Sequence, residues 1–188
     1  MNTAGNEHEL LQQIGNNEPA AMRLIYSRYV RYLTAVCSRY IRNDEDVKDV
    51  LQESFLKIFA SVGRFSYKGE GSLKAWMTKI LVNEALKHIN HSQRIDFTEL
   101  PDNFTDTADC ENREYGICDI PASVIHELIR GLPDGYRVVF NLYAIEGKTH
   151  REIATLLGIG ESTSASQFHR AKALLASRIK DFINRRSS

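Results

Sequence analysis

Phe65, Tyr67 and Trp76 interleave with Lys68, Lys74, Lys79 and Lys87 around a glycine-punctuated stretch, RFSYKGEGSLK. Rings beside cations suit unstacked bases: the ring stacks on a base while the cation holds the backbone. Asn83 follows Trp76 by seven residues and so shares its helical face, where its amide can meet a base edge as donor and acceptor. A lone tryptophan within a helix is more often a core residue, and that reading of Trp76 stays open. The glycine loop and its lysines are harder to explain as core.

A second group lies in KTHREIATLLGIGESTSASQFHRAKALL, residues 148–175. Thr149 and Glu152 have the spacing of a capping box. Ile153, Leu156 and Leu157 form an apolar stripe, and Gly158 ends the helix in the conformation that glycine tolerates best. Glu161 suits the first turn of the next helix, where a carboxylate faces the positive end. That helix is expected to bury Ser164, Phe168, Ala171 and Leu175 and to show Ser162, Ala165, Ser166, His169 and Arg170. Two helices on a short glycine turn place the second in the DNA major groove. Small residues let its backbone approach base edges, with Arg170 and Lys172 on phosphates. The plainer alternative is a packed helical hairpin.

The elements that must position these residues read as all-α, since no stretch alternates with the period of a strand. The pattern predicts helices over 8–15, from Pro19 to about Ile41, from Asp44 to about Val62 with Asn43 as cap, and from Ser72 to about Asn90. Val47, Val50, Leu51, Phe55, Ile58 and Phe59 line the buried side of the third. Residues 93–120 lose periodicity and read as a flexible acidic tether, with Phe97 and Phe104 as its apolar points. A second block follows at 121–188: a helix to about Arg130, another from about Pro133 to Ile145, then the helix-turn-helix, ending near Asn184.

The chain has 24 basic and 24 acidic residues, an unpromising balance for a nucleic-acid binder taken whole. The distribution differs: residues 1–92 carry 12 basic and 10 acidic, 93–120 carry 2 and 8, and 121–188 carry 10 and 6. Cys37, Cys110 and Cys118 lack metal or disulfide spacing, which points to a reducing, cytoplasmic setting. A redox role for Cys110 and Cys118 is the lesser reading. No run approaches the ~20 apolar residues of a membrane span, and no signal peptide is evident. Phosphate-binding glycine motifs and H-E-x-x-H are lacking, so neither an enzyme nor a cofactor is expected. His88 and His91 could share a metal only with a third ligand that the sequence does not offer.

Three segments together resemble the bacterial extracytoplasmic-function (ECF) sigma factors, the small class with regions 2 and 4. DVKDVLQESFLKIF resembles the part that docks on the clamp helices of the largest RNA polymerase subunit. FSYKGEGSLKAWMTKILVNEALKHI resembles the loop and helix that open and read the −10 element. LPDGYRVVFNLYAIEGKTHREIATLLGIGESTSASQFHRAK resembles region 4, which reads the −35 element. The resemblance implies two small helical domains: a four-helix region 2 at 1–92 and a helix-turn-helix region 4 at 121–188, joined by the acidic linker at 93–120. It implies a transcription initiation factor whose partners are promoter DNA and core polymerase, through clamp helices and flap. A membrane-bound anti-sigma factor is a further candidate, and no small-molecule substrate is expected.

By position, the polymerase-docking candidates are Asp46, Asp49, Gln52, Glu53 and Phe55. An acidic row of this kind is, from charge alone, also an ordinary solvated face. For the −10 element they are Lys68, Ser72, Lys74, Trp76, Lys79, Asn83 and Lys87. For the −35 element they are Ser162, Thr163, Ala165, Ser166, His169, Arg170 and Lys172. Departures are Ser164 and Ala165, where the family often has valine and a basic residue, and Gln167, where arginine is common; they leave promoter preference open. The competing readings are a stand-alone helix-turn-helix regulator, which would need an effector domain, and a helical adaptor that binds only proteins.

Overall fold

The computed structural model describes residues 7–15, 19–92 and 120–186, and every regular element among them is helical. The chain divides into two compact units, Met1–Ser92 and Gln93–Ser188.

In the first unit, α1 (Glu7–Gly15), α2 (Pro19–Cys37), α3 (Asp44–Ser61) and α4 (Ser72–Ser92) pack together. Asn43 caps α3: its side chain accepts from the backbone N–H of Glu45 at 2.8 Å and of Asp46 at 3.3 Å. Three acidic residues in that first turn complement the helix dipole. Ile25, Leu33, Val36, Ile58, Leu73, Met77, Leu81 and Ala85 are fully buried, so the core is the meeting of α2, α3 and α4. The expected extension of α2 to Ile41 does not occur. The helix ends at Cys37 and the chain turns, with the Tyr40 and Ile41 N–H groups both donating to the Cys37 carbonyl. Tyr40 and Ile41 are buried all the same, so the apolar stripe outlasts the helix.

In the second unit, α5 (Ala122–Arg130), α6 (Asp134–Phe140) and α8 (Glu161–Arg186) pack around Ile129, Leu132, Tyr136, Ala171 and Leu175, and α7 (His150–Leu157) packs on α8. The helix expected to run unbroken to Ile145 instead widens into a π turn at Asn141–Ile145. There the Glu146 N–H reaches back five residues to the Asn141 carbonyl at 3.0 Å. Buried Asn141 donates its side-chain amide to the Arg137 carbonyl at 2.8 Å, and Arg137, also buried, pairs with Asp134 at 2.8 Å.

The tether's residues 93–119, with Phe97, Phe104, Cys110 and Cys118, lie outside the described residues.

Candidate nucleic-acid and polymerase interfaces

The capping box before α7 forms in both directions. The Thr149 hydroxyl accepts from the Glu152 N–H at 3.2 Å, and the Glu152 carboxylate accepts from the Thr149 N–H at 2.8 Å. The Thr149 N–H and the Thr149 hydroxyl, which donates to the same carboxylate at 2.9 Å, hold the Glu152 carboxyl below the usual carboxylate range. Gly158 then adopts φ of 68°, the left-handed conformation that lets α8 start after two more residues. Along α8, Ser162, Ala165, Ser166, His169 and Lys172 are exposed, and their spacing puts them along one side of the helix. Thr163 and Arg170 are half-buried at the edge of that face. The Ser166 hydroxyl donates to the Thr163 carbonyl at 2.9 Å, and the Lys172 ammonium lies 5.1 Å from the Phe168 ring centroid. Gln167 is only 3 % exposed and faces the domain interior, so it does not stand in for a DNA-facing arginine. Ser164, Ala171 and Leu175 are buried as the spacing requires, and Phe168 is half-buried. Leu156, placed in the α7 stripe, is exposed.

Between α3 and α4 the chain makes a 3-10 turn, Val62–Arg64, and then a loop. Gly69 and Gly71 have φ of 112° and 85°, and nothing lies where a Cβ would stand, so backbone conformation is what demands glycine there. The Ser72 hydroxyl donates to the Gly69 carbonyl at 2.6 Å and accepts from the Lys68 N–H at 3.2 Å, closing the loop onto α4. Trp76 is half-buried with its ring centroid 5.0 Å from that of Phe65, so the ring packs on the loop and is still partly exposed. Ser72, Trp76, Lys79, Asn83 and Lys87 follow one face of α4, where Lys79, Asn83 and Lys87 are exposed. The Lys74 ammonium sits 4.0 Å from the Tyr32 ring centroid, and Lys87 pairs with Glu84 at 3.1 Å. Glu84 also binds Lys57 of α3. Burial works against its charge, but the hydrogen bonds from Lys57 and Lys87 prevail and hold its carboxyl below the usual range.

On α3, Asp49, Gln52 and Glu53 are exposed in a row. Asp46 is half-buried and lies 3.5 Å from His88. Phe55 does not belong to this surface. Its side chain is 4 % exposed, with ring centroids of Tyr26 and Phe59 at 4.7 and 5.7 Å, because position 55 falls in the Val47–Leu51–Ile58 stripe. The apolar member of the exposed row is Leu56, 56 % exposed and missed from the sequence, although it stands three residues after Glu53 and seven after Asp49. Among the described residues no helix is long and apolar enough to cross a membrane.

Residues 25–95 match the family model for sigma-70 region 2, and residues 123–175 match that for sigma-70 region 4. The chain is 25 % identical over 187 residues to an ECF RNA polymerase sigma-E factor of Haemophilus influenzae, covering 93 % of this chain and 95 % of that one. It is 23 % identical over 185 residues to the RNA polymerase sigma-H factor of Pseudomonas aeruginosa, covering 92 % and 93 %. A solved structure of the sigma factor RpoE with the anti-sigma factor NepR from Bartonella quintana is similar with a TM-score of 0.48 at 20 % identity, over 84 % of this chain and 96 % of that one. A stand-alone regulator would not carry both matched regions in this order. The chain belongs to the sigma-70 family, with the paired regions 2 and 4 of its ECF group, and is a promoter-directing transcription initiation factor.

Proposed function

We propose that residues 1–92 dock on core RNA polymerase and capture the −10 element, and that residues 121–188 read the −35 element, with 93–120 as the acidic link. The observation that carries this reading is the exposed small-residue face of α8, Ser162, Ala165, Ser166 and His169, set just beyond the left-handed Gly158. A helix end of that kind admits close approach to base edges, with Arg170 and Lys172 at hand for phosphates. The Asp49–Gln52–Glu53–Leu56 row supplies the polymerase contact: charges steer a basic clamp surface and Leu56 gives apolar area. The loop lysines and Trp76 supply single-strand capture, with Asn83 reading a base edge. The setting is the cytoplasm, and family resemblance adds a membrane-bound anti-sigma factor as a partner to be sought by its displacement of polymerase. Footprinting tests the reading: protein with core polymerase protects both promoter elements, whereas protection by the protein alone would mark a free-standing regulator.

A further inference from the structure

Glu7 is a carboxylate that is only 2 % exposed, and among the described residues its hydrogen bonds reach distant parts of the chain. It accepts from the Gly71 N–H at 2.9 Å, the Leu73 N–H at 3.1 Å and the Lys74 N–H at 3.3 Å, and from the Tyr29 hydroxyl at 3.0 Å. The first turn of a helix leaves such N–H groups without partners, and the residue just before it normally caps them with its own side chain. Here that residue is Gly71, which has none. The cap for α4 is therefore supplied from α1, 64 residues away in the chain from Gly71. The Ser72 N–H is taken by the Gly69 carbonyl at 3.1 Å, so the start of α4 is satisfied from within the protein. A DNA phosphate is thus left to the lysines rather than to the helix end.

The rest of α1 joins the same loop. The His8 and Tyr67 ring centroids are 5.1 Å apart, and Leu10 is buried. From α2, Arg28 approaches Glu70 at 3.9 Å. Lys68, Ser72, Lys74 and Trp76 therefore sit on a loop and helix start whose backbone is tied to α1 and α2, with Glu7 making most of the hydrogen bonds.

We propose that Glu7 is a positioning residue for −10 capture, setting through its hydrogen bonds the conformation of loop 65–71 and the first turn of α4. The inference rests on the assignment of that loop to unstacked bases. Four donors converge on this buried carboxylate, and a fully satisfied network of that kind fixes the lysine-bearing segment in one arrangement.

The test uses holoenzyme assembled with core polymerase and a pool of single-stranded oligonucleotides randomised across the −10 positions. Glu7→Gln keeps the shape but turns one acceptor into a donor facing a donor. It is expected to weaken oligonucleotide binding about tenfold and to flatten base preference, with core polymerase affinity kept within about twofold. If Glu7→Gln does not fold by circular dichroism, Glu7→Asp, which keeps the acceptors on a shorter arm, decides by the same measurements. Lys68→Ala and Asn83→Ala run alongside. Loss of binding in these two with none in the Glu7 variant overturns the positioning role alone. No effect in any of the three overturns the −10 assignment and this inference with it. Equal losses of polymerase and oligonucleotide affinity in the Glu7 variant would make it a plain structural cap.

Discussion

His150 Nδ1 lies 3.0 Å from the Ser164 hydroxyl, joining the first residue of α7 to the first buried position of α8. The His150 ring is also stacked on Tyr143, with centroids 4.4 Å apart, and lies 5.9 Å from Phe168. Where the family often places valine, this chain has a buried hydroxyl with a partner. Ser164→Ala should cost about 1 kcal/mol by leaving the imidazole unsatisfied. A cycle with His150→Ala should show coupling of about 0.5 kcal/mol or more in urea unfolding. Additive losses would mean that the pair does not hold the two helices.

The α8 face should separate affinity from preference. Arg170→Ala should weaken binding to all promoters alike, because phosphate contacts carry no sequence information. His169→Ala and Ser166→Ala should instead change which −35 sequence is selected from a randomised library. An unaltered selection by His169→Ala would remove that residue from the reading surface.

Asn83→Ala should slow promoter opening on duplex templates more than on templates melted in advance, since unstacking a base costs a few kcal/mol that capture must offset. Trp76→Ala should show that defect and also lower the melting temperature, because the ring packs on Phe65. Equal defects of Asn83→Ala on both templates would place Asn83 outside strand capture.

On α3, Asp49→Lys with Glu53→Lys should reduce core polymerase affinity at least about tenfold, or ~1.4 kcal/mol. Stability should shift by less than about 0.5 kcal/mol, because both residues are exposed. Leu56→Ala should weaken binding without changing its salt dependence, whereas the charge reversals should change both. Wild-type affinity in the folded double variant would take the polymerase off this face.

Glu84 gives a pH-dependent link between α3 and α4. Its lowered pKa means that its contribution is present above the unfolded carboxylate value of about 4.3 and is lost as the pH falls through the folded value. Glu84→Gln should thus reduce stability near neutrality by less than about 1 kcal/mol, screened by salt, and should make little difference in strong acid. A constant difference between the two proteins from neutral to strongly acidic pH would contradict this.

Features set by neighbours in the chain were legible without coordinates. Asn43, the Thr149–Glu152 box and Gly158 act within a few residues, so residue type and spacing suffice to find them. The outward face of α8 followed from period alone. Features set across the fold were not legible. Tyr40 and Ile41 are buried after α2 has ended, because an apolar stripe records burial and not helix. Phe55 and Leu56 are adjacent, and one step of rotation decides which faces the core: the apolar period puts Phe55 on the buried side, where the structure has it, and Leu56 is the exposed one. Gln167 looks solvent-facing by type and is buried by position. The Glu7 cap joins residues more than sixty positions apart, a separation at which sequence pattern carries no signal.

The wide turn at Asn141–Ile145 takes up one residue locally, so the chain before and after it keeps its faces. Each residue of an α-helix turns the chain by about 100°, and the π turn holds one residue beyond what an α-helix would use. Deleting a residue within 141–145 would let the backbone relax into an unbroken helix. Tyr143, whose ring is 4.3 Å from Phe168 and stacked on His150, would then swing out of that cluster. A one-codon deletion here is thus absorbed where it falls, whereas the same deletion inside α8 would rotate everything after it by about 100°.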